Sequence, residues 1–245
     1  MDYILEYCEK LESLPSLSML RKRISFLSHE MKMHVSNDLT PHEKLQGLSE
    51  FFFHQLNFKV FSEKQKSRSG LTEVICEKKG TAFSVGLLYR QLAQVLHVPL
   101  RFVQVPHLRL LKWSGQGHSL FVDLAQNGKV LLHADLLAYV QQLKNEGYDL
   151  GVSTFEFLDD RTVLMAYLSL LKENFGYASN TSQLLKIYEC ILQLQPQNIS
   201  VIGERALLYY NLGCKTEARQ ELKRYFAFSN PRCSSPELTK MSGKF

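Results

Sequence analysis

Ser84, His107 and Asp123 are, in type and in order along the chain, the members of a serine triad. Such a set provides a hydroxyl nucleophile, an imidazole to take its proton and a carboxylate to orient the imidazole, and its chemistry is hydrolysis of an amide or ester. The setting of Ser84, in GTAFSVG, offers a second use, since a serine in the first turn of a helix commonly hydrogen-bonds the helix start. His118 adjoins the turn SGQG and reads as a surface residue.

Other chemistries find less support. The five cysteines (Cys8, Cys76, Cys190, Cys214 and Cys233) are odd in number and scattered, without the short paired spacing of zinc or redox sites. They read as reduced thiols of a cytoplasmic protein, with Cys76 a small buried hydrophobe. No pair of histidines or carboxylates has the spacing of a metal site, and no metal is expected. Gly115 and Gly117 fall in a hairpin turn, not between a strand and a helix, so no phosphate loop and no cofactor are expected.

The chain has 245 residues, a net charge of +5 and 45% hydrophobic residues, enough for one large or two small domains with a proper core. It contains no run of eighteen apolar residues, and MDYILEYCEKLESL lacks the order of a signal peptide, so neither membrane insertion nor secretion is expected. Basic residues cluster at Arg21, Lys22 and Arg23, at Lys64, Lys66 and Arg68, and at Lys78 and Lys79. A phosphate-binding patch, for nucleic acid or a membrane surface, is one reading of them. No recognisable nucleic-acid module accompanies the charges, which favours solvated helix faces and loop ends.

The elements that must position these residues follow from periodicity. Ile4, Tyr7, Cys8 and Leu11 share one helical face, and Leu17, Leu20, Ile24, Leu27 and Met31 another. A third helix starts at the cap Thr40, with Pro41 in its first turn and Glu43 completing a capping box, and runs to about Leu56. NFKVFSEKQKSRSG reads as a surface loop, LTEVICEKKG as a short helix or turn, and Phe83 to Leu96 as an apolar helix. LRFVQV, HLRLLKW, HSLFVDL and KVLL then predict three or four antiparallel strands, followed by a helix from His133 to Gly147.

From Phe155 onward a repeat of about 34 residues, the tetratricopeptide period, places Phe175 on Tyr209, Tyr188 on Leu222, Ile191 on Tyr225 and Pro196 on Asn230. Ala206, Gly213 and Ala218 stand where such helix pairs need small residues or a turn. The tail CSSPELTKMSGKF is expected to be loose. The first repeat helix, about Arg161 to Phe175, lacks a capping helix and is expected to pack on the preceding domain beside the helix of Asp135 to Leu143.

In order and spacing, GTAFSVGLLYRQLAQVLHVPLRFVQVPHLRLLKW, then FVDLAQNGKVL, then repeat-like helices resemble the SirB-type members of the transglutaminase-like superfamily, from about Pro41 to Pro231. The resemblance implies an α+β fold: a helical lead-in over residues 1–70, a papain-like core over 71–154 with a central helix on a small antiparallel sheet, all-α repeats over 155–231 and a tail over 232–245. It also implies a nucleophile at the start of the central helix, where a thiolate is stabilised by unpaired amides and the helix dipole. Catalytic relatives carry a cysteine two residues after the glycine, a position held here by Ala82. Relatives that retain the histidine have proline, glycine and then histidine, whereas Pro106 is followed directly by His107. Leu108 thus falls on the histidine position and His107 on the glycine. Asp123 fits the acid position.

The pocket implied by the resemblance, with Ala82, Ser84, His107, Leu108 and Asp123, is therefore vestigial. The expectation is a non-catalytic protein or peptide binder, or scaffold, whose repeats hold the partner. The alternative is the hydrolase using Ser84, His107 and Asp123.

Overall fold

The computed structural model describes residues 17–61, 70–103, 110–115, 117–147, 156–177, 180–229 and 235–244. Helix α1 (Leu17–His34) buries Leu20, Ile24, Leu27 and Met31 along one stripe. Helix α2 (Pro41–Ser49) begins with the expected capping box: Thr40 N–H donates to Glu43 Oε2 (2.9 Å) and Glu43 N–H to Thr40 Oγ1 (3.3 Å). A π-helical turn (Glu50–Gln55) continues it, closed by Leu56 N–H donating to Phe51 O (2.8 Å). More residues per turn means less rotation per residue, which keeps Phe51, Phe52 and Phe53 together in the core.

The capping box makes a prediction. The Thr40 side chain, and then its backbone N–H, hold the Glu43 carboxyl below the usual carboxylate range. A depressed folded-state value means that the stabilisation is present above the unfolded value of about 4.3 and is lost as pH falls through the folded one. The protection factors of the two amides that the box covers, Thr40 and Glu43, should therefore fall on acidification. Glu43→Gln keeps an acceptor for the Thr40 N–H but cannot ionise, so its protection should be somewhat lower at neutral pH and should lack that acid step.

Strand β1 (Lys59–Val60) pairs in parallel with β2 (Lys79–Gly80), so the stretch read as loop begins with a short strand. Between them lies α3 (Leu71–Glu77), which buries Leu71, Val74 and Ile75. Cys76 falls off that stripe and is exposed, which corrects its reading as a buried hydrophobe. The central helix α4 (Ala82–Val95) is buried at Val85, Leu87, Leu88, Tyr89, Leu92 and Ala93.

Four antiparallel strands follow in the order β3-β4-β5-β6: β3 (Arg101–Phe102), β4 (Leu110–Gly115), β5 (His118–Asp123) and β6 (Lys129–Leu132). Helix α5 (His133–Asn145) covers one face, joining Leu136 and Val140 to Val103, Leu110, Phe121 and Leu131. On the other face α4 comes so close that a Cβ on Gly86 would lie 2.6 Å from Leu124 Cδ1 and 3.0 Å from the Phe102 ring. The Tyr89 hydroxyl lies 2.7 Å from Ser49 Oγ, which donates to Gly128 O (2.6 Å), and burial pushes this phenol's pKa up.

Helix α6 (Asp160–Tyr177) begins in this first compact unit, which extends to Tyr167. Its polar contacts there run to α4, through Arg90 and Asp160 (3.2 Å), and to α3, where Leu71 N–H donates to the Tyr167 hydroxyl (2.9 Å).

The second unit runs from Leu168 to the C-terminus and contains α7 (Thr181–Leu194), α8 (Ile199–Asn211) and α9 (Lys215–Phe228). Asn180 and Asn198 cap α7 and α8 by accepting from Gln183 N–H and Val201 N–H. Repeat-related positions share their burial: Tyr188 with Leu222, and Ile191 with Tyr225. Ala206 and Ala218 are fully buried, and Gly213, at φ +78°, makes the turn between α8 and α9. The tail is not loose throughout. Residues Pro236–Ser242 form α10, whose Leu238 and Met241 are buried, and a Cβ on Gly203 would lie 2.9 Å from Leu238 Cδ1. Among the described residues no helix is long and apolar enough to cross a membrane.

Candidate functional site

The start of α4 is built by Thr81, whose side chain accepts from Ser84 N–H (3.2 Å). Ala82 is the first helical residue and is partly exposed. This is where amide groups and the helix dipole would favour a thiolate, and the methyl group there has nothing to ionise. Cys76 stands on α3 and lies on the segment before this helix.

Ser84 is fully buried, and its Oγ lies 2.6 Å from Thr81 Oγ1 and donates to Thr81 O at 3.4 Å. Its hydroxyl is engaged with the cap that starts its own helix. Gly80 permits this crowding, because a Cβ there would lie 2.5 Å from Val74 Cγ2 and 3.3 Å from Ser84 Oγ.

Asp123 ends β5 and is 2% exposed. Its Oδ1 accepts from Ala125 N–H (2.9 Å) and Gln126 N–H (3.3 Å), and its Oδ2 from Gln126 Nε2 (2.7 Å). These bonds cap a short 3-10 turn (Leu124–Gln126), so the carboxylate is committed to its own loop. The contact of Leu124 with Gly86 brings this loop against α4, one turn beyond Ala82. His107 and Leu108 lie outside the described residues, as do Cys8, Cys233, Lys64, Lys66 and Arg68. Among the described residues no three histidine, cysteine or acidic side chains come together to hold a metal ion.

A central helix packed on a small antiparallel sheet, followed by paired helices with alanines and a glycine at their close approaches, defines a transglutaminase-like core with tetratricopeptide repeats. The family description "Transglutaminase-like superfamily" matches residues 19–169, and "Tetratricopeptide repeat" matches residues 177–237. The chain therefore belongs to the transglutaminase-like superfamily, as a SirB-type member carrying tetratricopeptide repeats.

It is 26% identical over 214 residues to a UPF0162 protein of Buchnera aphidicola subsp. Schizaphis graminum, covering 86% of this chain and 79% of the relative. Protein SirB1 of Salmonella typhimurium is 22% identical over 90% of this chain and 81% of its own length. UPF0162 protein YchA of Escherichia coli is 23% identical over 85% of this chain and 78% of its own. No solved structure matches the chain.

Proposed function

We propose that this chain is a non-catalytic binding protein, in which a degenerate papain-like core carries tetratricopeptide repeats that hold a protein or peptide. The observation that carries the reading is Ala82, a methyl group at the helix start where catalytic relatives carry a thiol. Tetratricopeptide helices commonly hold peptide segments on their concave side, which supports a protein partner. The serine alternative draws no support from the site, since both the Ser84 hydroxyl and the Asp123 carboxylate are spent on local turns.

Two measurements test this. The protein should show no amide or ester turnover above buffer, and a sulfonyl fluoride should leave Ser84 unlabelled. Time-dependent stoichiometric labelling of Ser84, with turnover abolished by Ser84→Ala, would establish the hydrolase instead. The partner protein captured by the immobilised chain should be retained by Ser84→Ala and released by substitutions that loosen the second unit. Loss of capture in Ser84→Ala, with the fold intact, would place binding at the old cleft and not on the repeats.

A further inference from the structure

Strands β4 and β5 pair from Leu110 and Asp123 at one end to Gly115 and His118 at the other. Five steps of about 3.3 Å set the two ends roughly 17 Å apart. The vestigial site belongs to the Asp123 end. At the opposite end lies a separate cleft of about 690 Å³, within the range of about 300–1,000 Å³ that small-molecule sites occupy.

Its floor is the single tryptophan of the chain, Trp113, with Leu120 paired across from it and Leu132 paired next to Leu120. Trp113 and Gly115 share one face of the strand by the pleat. A Cβ on Gly115 would lie 2.5 Å from Trp113 Cζ2, so the glycine is what lets the indole lie along the strand. Around this apolar floor stand three imidazoles from three distant segments: His42 in the first turn of α2, His118 at the start of β5 and His133 at the start of α5. The described lining residues include no Asp, Glu, Lys or Arg, and the carboxylates of Glu43 and Asp135, which bond to the lining residues Thr40 and Leu132, are engaged in capping α2 and α5.

We propose that this cleft binds a planar ring carrying a carboxylate. A flat indole surface favours an aromatic or heteroaromatic body. His42 and His118 each have at least one N–H to donate in either protonation state, and a carboxylate only accepts. A ligand ammonium would meet no counter-charge on the described lining and would pay for its desolvation. The site is independent of the binding function proposed for the repeats, because it uses none of the second unit and none of the residues at the α4 start.

With one tryptophan, the full-length chain labelled with ¹⁵N gives one indole N–H resonance, and that signal reads the floor of the cleft directly. Titration with 2-naphthoate should move it saturably. The neutral 2-naphthalenemethanol and the cationic 2-naphthylmethylammonium should bind about tenfold more weakly or less, the worth of hydrogen bonds to a charged group. His118→Ala and His42→Ala should erase most of the carboxylate's advantage while leaving the affinity for the alcohol. His118 is exposed in the hairpin, so this variant should keep the amide spectrum of the folded protein. An indole signal unmoved by naphthoate would overturn the site. Equal or tighter binding of the alcohol or the ammonium would overturn the ligand class, as would a carboxylate preference that survives both histidine variants.

Discussion

Gly128→Ala is expected to destabilise the first unit by about 2–5 kcal/mol. Two costs add. Gly128 sits at φ +74°, where an L side chain meets its own backbone at a cost of about 1–2 kcal/mol. The added Cβ would also lie 2.5 Å from Ser49 Oγ and 2.7 Å from Phe53 Cε2, so it must push apart a buried hydroxyl and a buried ring. Ser49 cannot retreat without loss, since it donates to Gly128 O and lies 2.7 Å from the Tyr89 hydroxyl. Gly117→Ala is the control: it has a similar φ of +79° with nothing within 4 Å, so it bears only the backbone cost. Denaturant unfolding should find Gly128→Ala worse by about 1–3 kcal/mol, the overpacking share. Equal losses would mean that the Ser49–Tyr89–Gly128 contact holds nothing together.

That contact also marks a boundary of what could be read in advance. The turn QNG was legible, because Asn-Gly between two apolar runs calls for positive φ. Its closure onto Ser49 and Phe53, some 75–80 residues upstream, had no local signature. The same division recurs elsewhere. The capping box of α2, the apolar stripe of α4, the runs that form the antiparallel strands and the repeat pairs are encoded by neighbours in the chain and legible there, whereas the order of the strands in the sheet is not. Nor is the parallel pairing of Lys59 with Lys79, since two-residue strands lack enough length to show alternation. Helix α10 was missed because its polar residues outnumber the buried Leu238 and Met241, and the approach of Leu238 to Gly203 of the repeat has no local signature.

At the candidate site the residue types were legible and their engagements only partly so. Thr81 three residues before Ser84 reproduces the spacing of a helix cap, which is how the serine is used. Asp123 stood out as an acid at the end of a strand. Its donors, Ala125 N–H, Gln126 N–H and Gln126 Nε2, were hidden because the following residues could equally have left the carboxylate facing the cleft. Cys76 could have been placed correctly from periodicity alone: Leu71, Val74 and Ile75 fill one face of a short helix, and the next position leaves it. His42 and His133 carry no mutual spacing, and only the fold brings them to His118.

Glu221→Ala should loosen the second unit by about 2–4 kcal/mol, whereas Arg224→Ala should cost about 0–1 kcal/mol. Glu221 is nearly buried, with its side chain 9% exposed, and accepts from Arg205 at 2.8 Å and Arg224 at 3.1 Å. The two arginines differ in their access to water. The Arg205 side chain is 14% exposed and that of Arg224 40%. Removing the carboxylate strands the Arg205 guanidinium in a poorly solvated position, and an unpaired buried charge is what makes broken pairs expensive. Removing Arg224 leaves the Arg205–Glu221 pair intact and forfeits one screened contact plus its bond to Pro196 O (3.2 Å). Arg205 lies on α8 and Glu221 on α9, so the pair ties the two helices of one repeat together. Amide exchange is the suitable readout, because it reports α8 and α9 separately from the first unit, where a single melting temperature would merge them. Protection in α8 and α9 should fall sharply in Glu221→Ala and stay near the parent value in Arg224→Ala. Comparable losses in the two variants would show that the pair acts as an ordinary surface salt bridge and that Ala206, Ala218, Leu222 and Tyr225 alone hold the repeat closed.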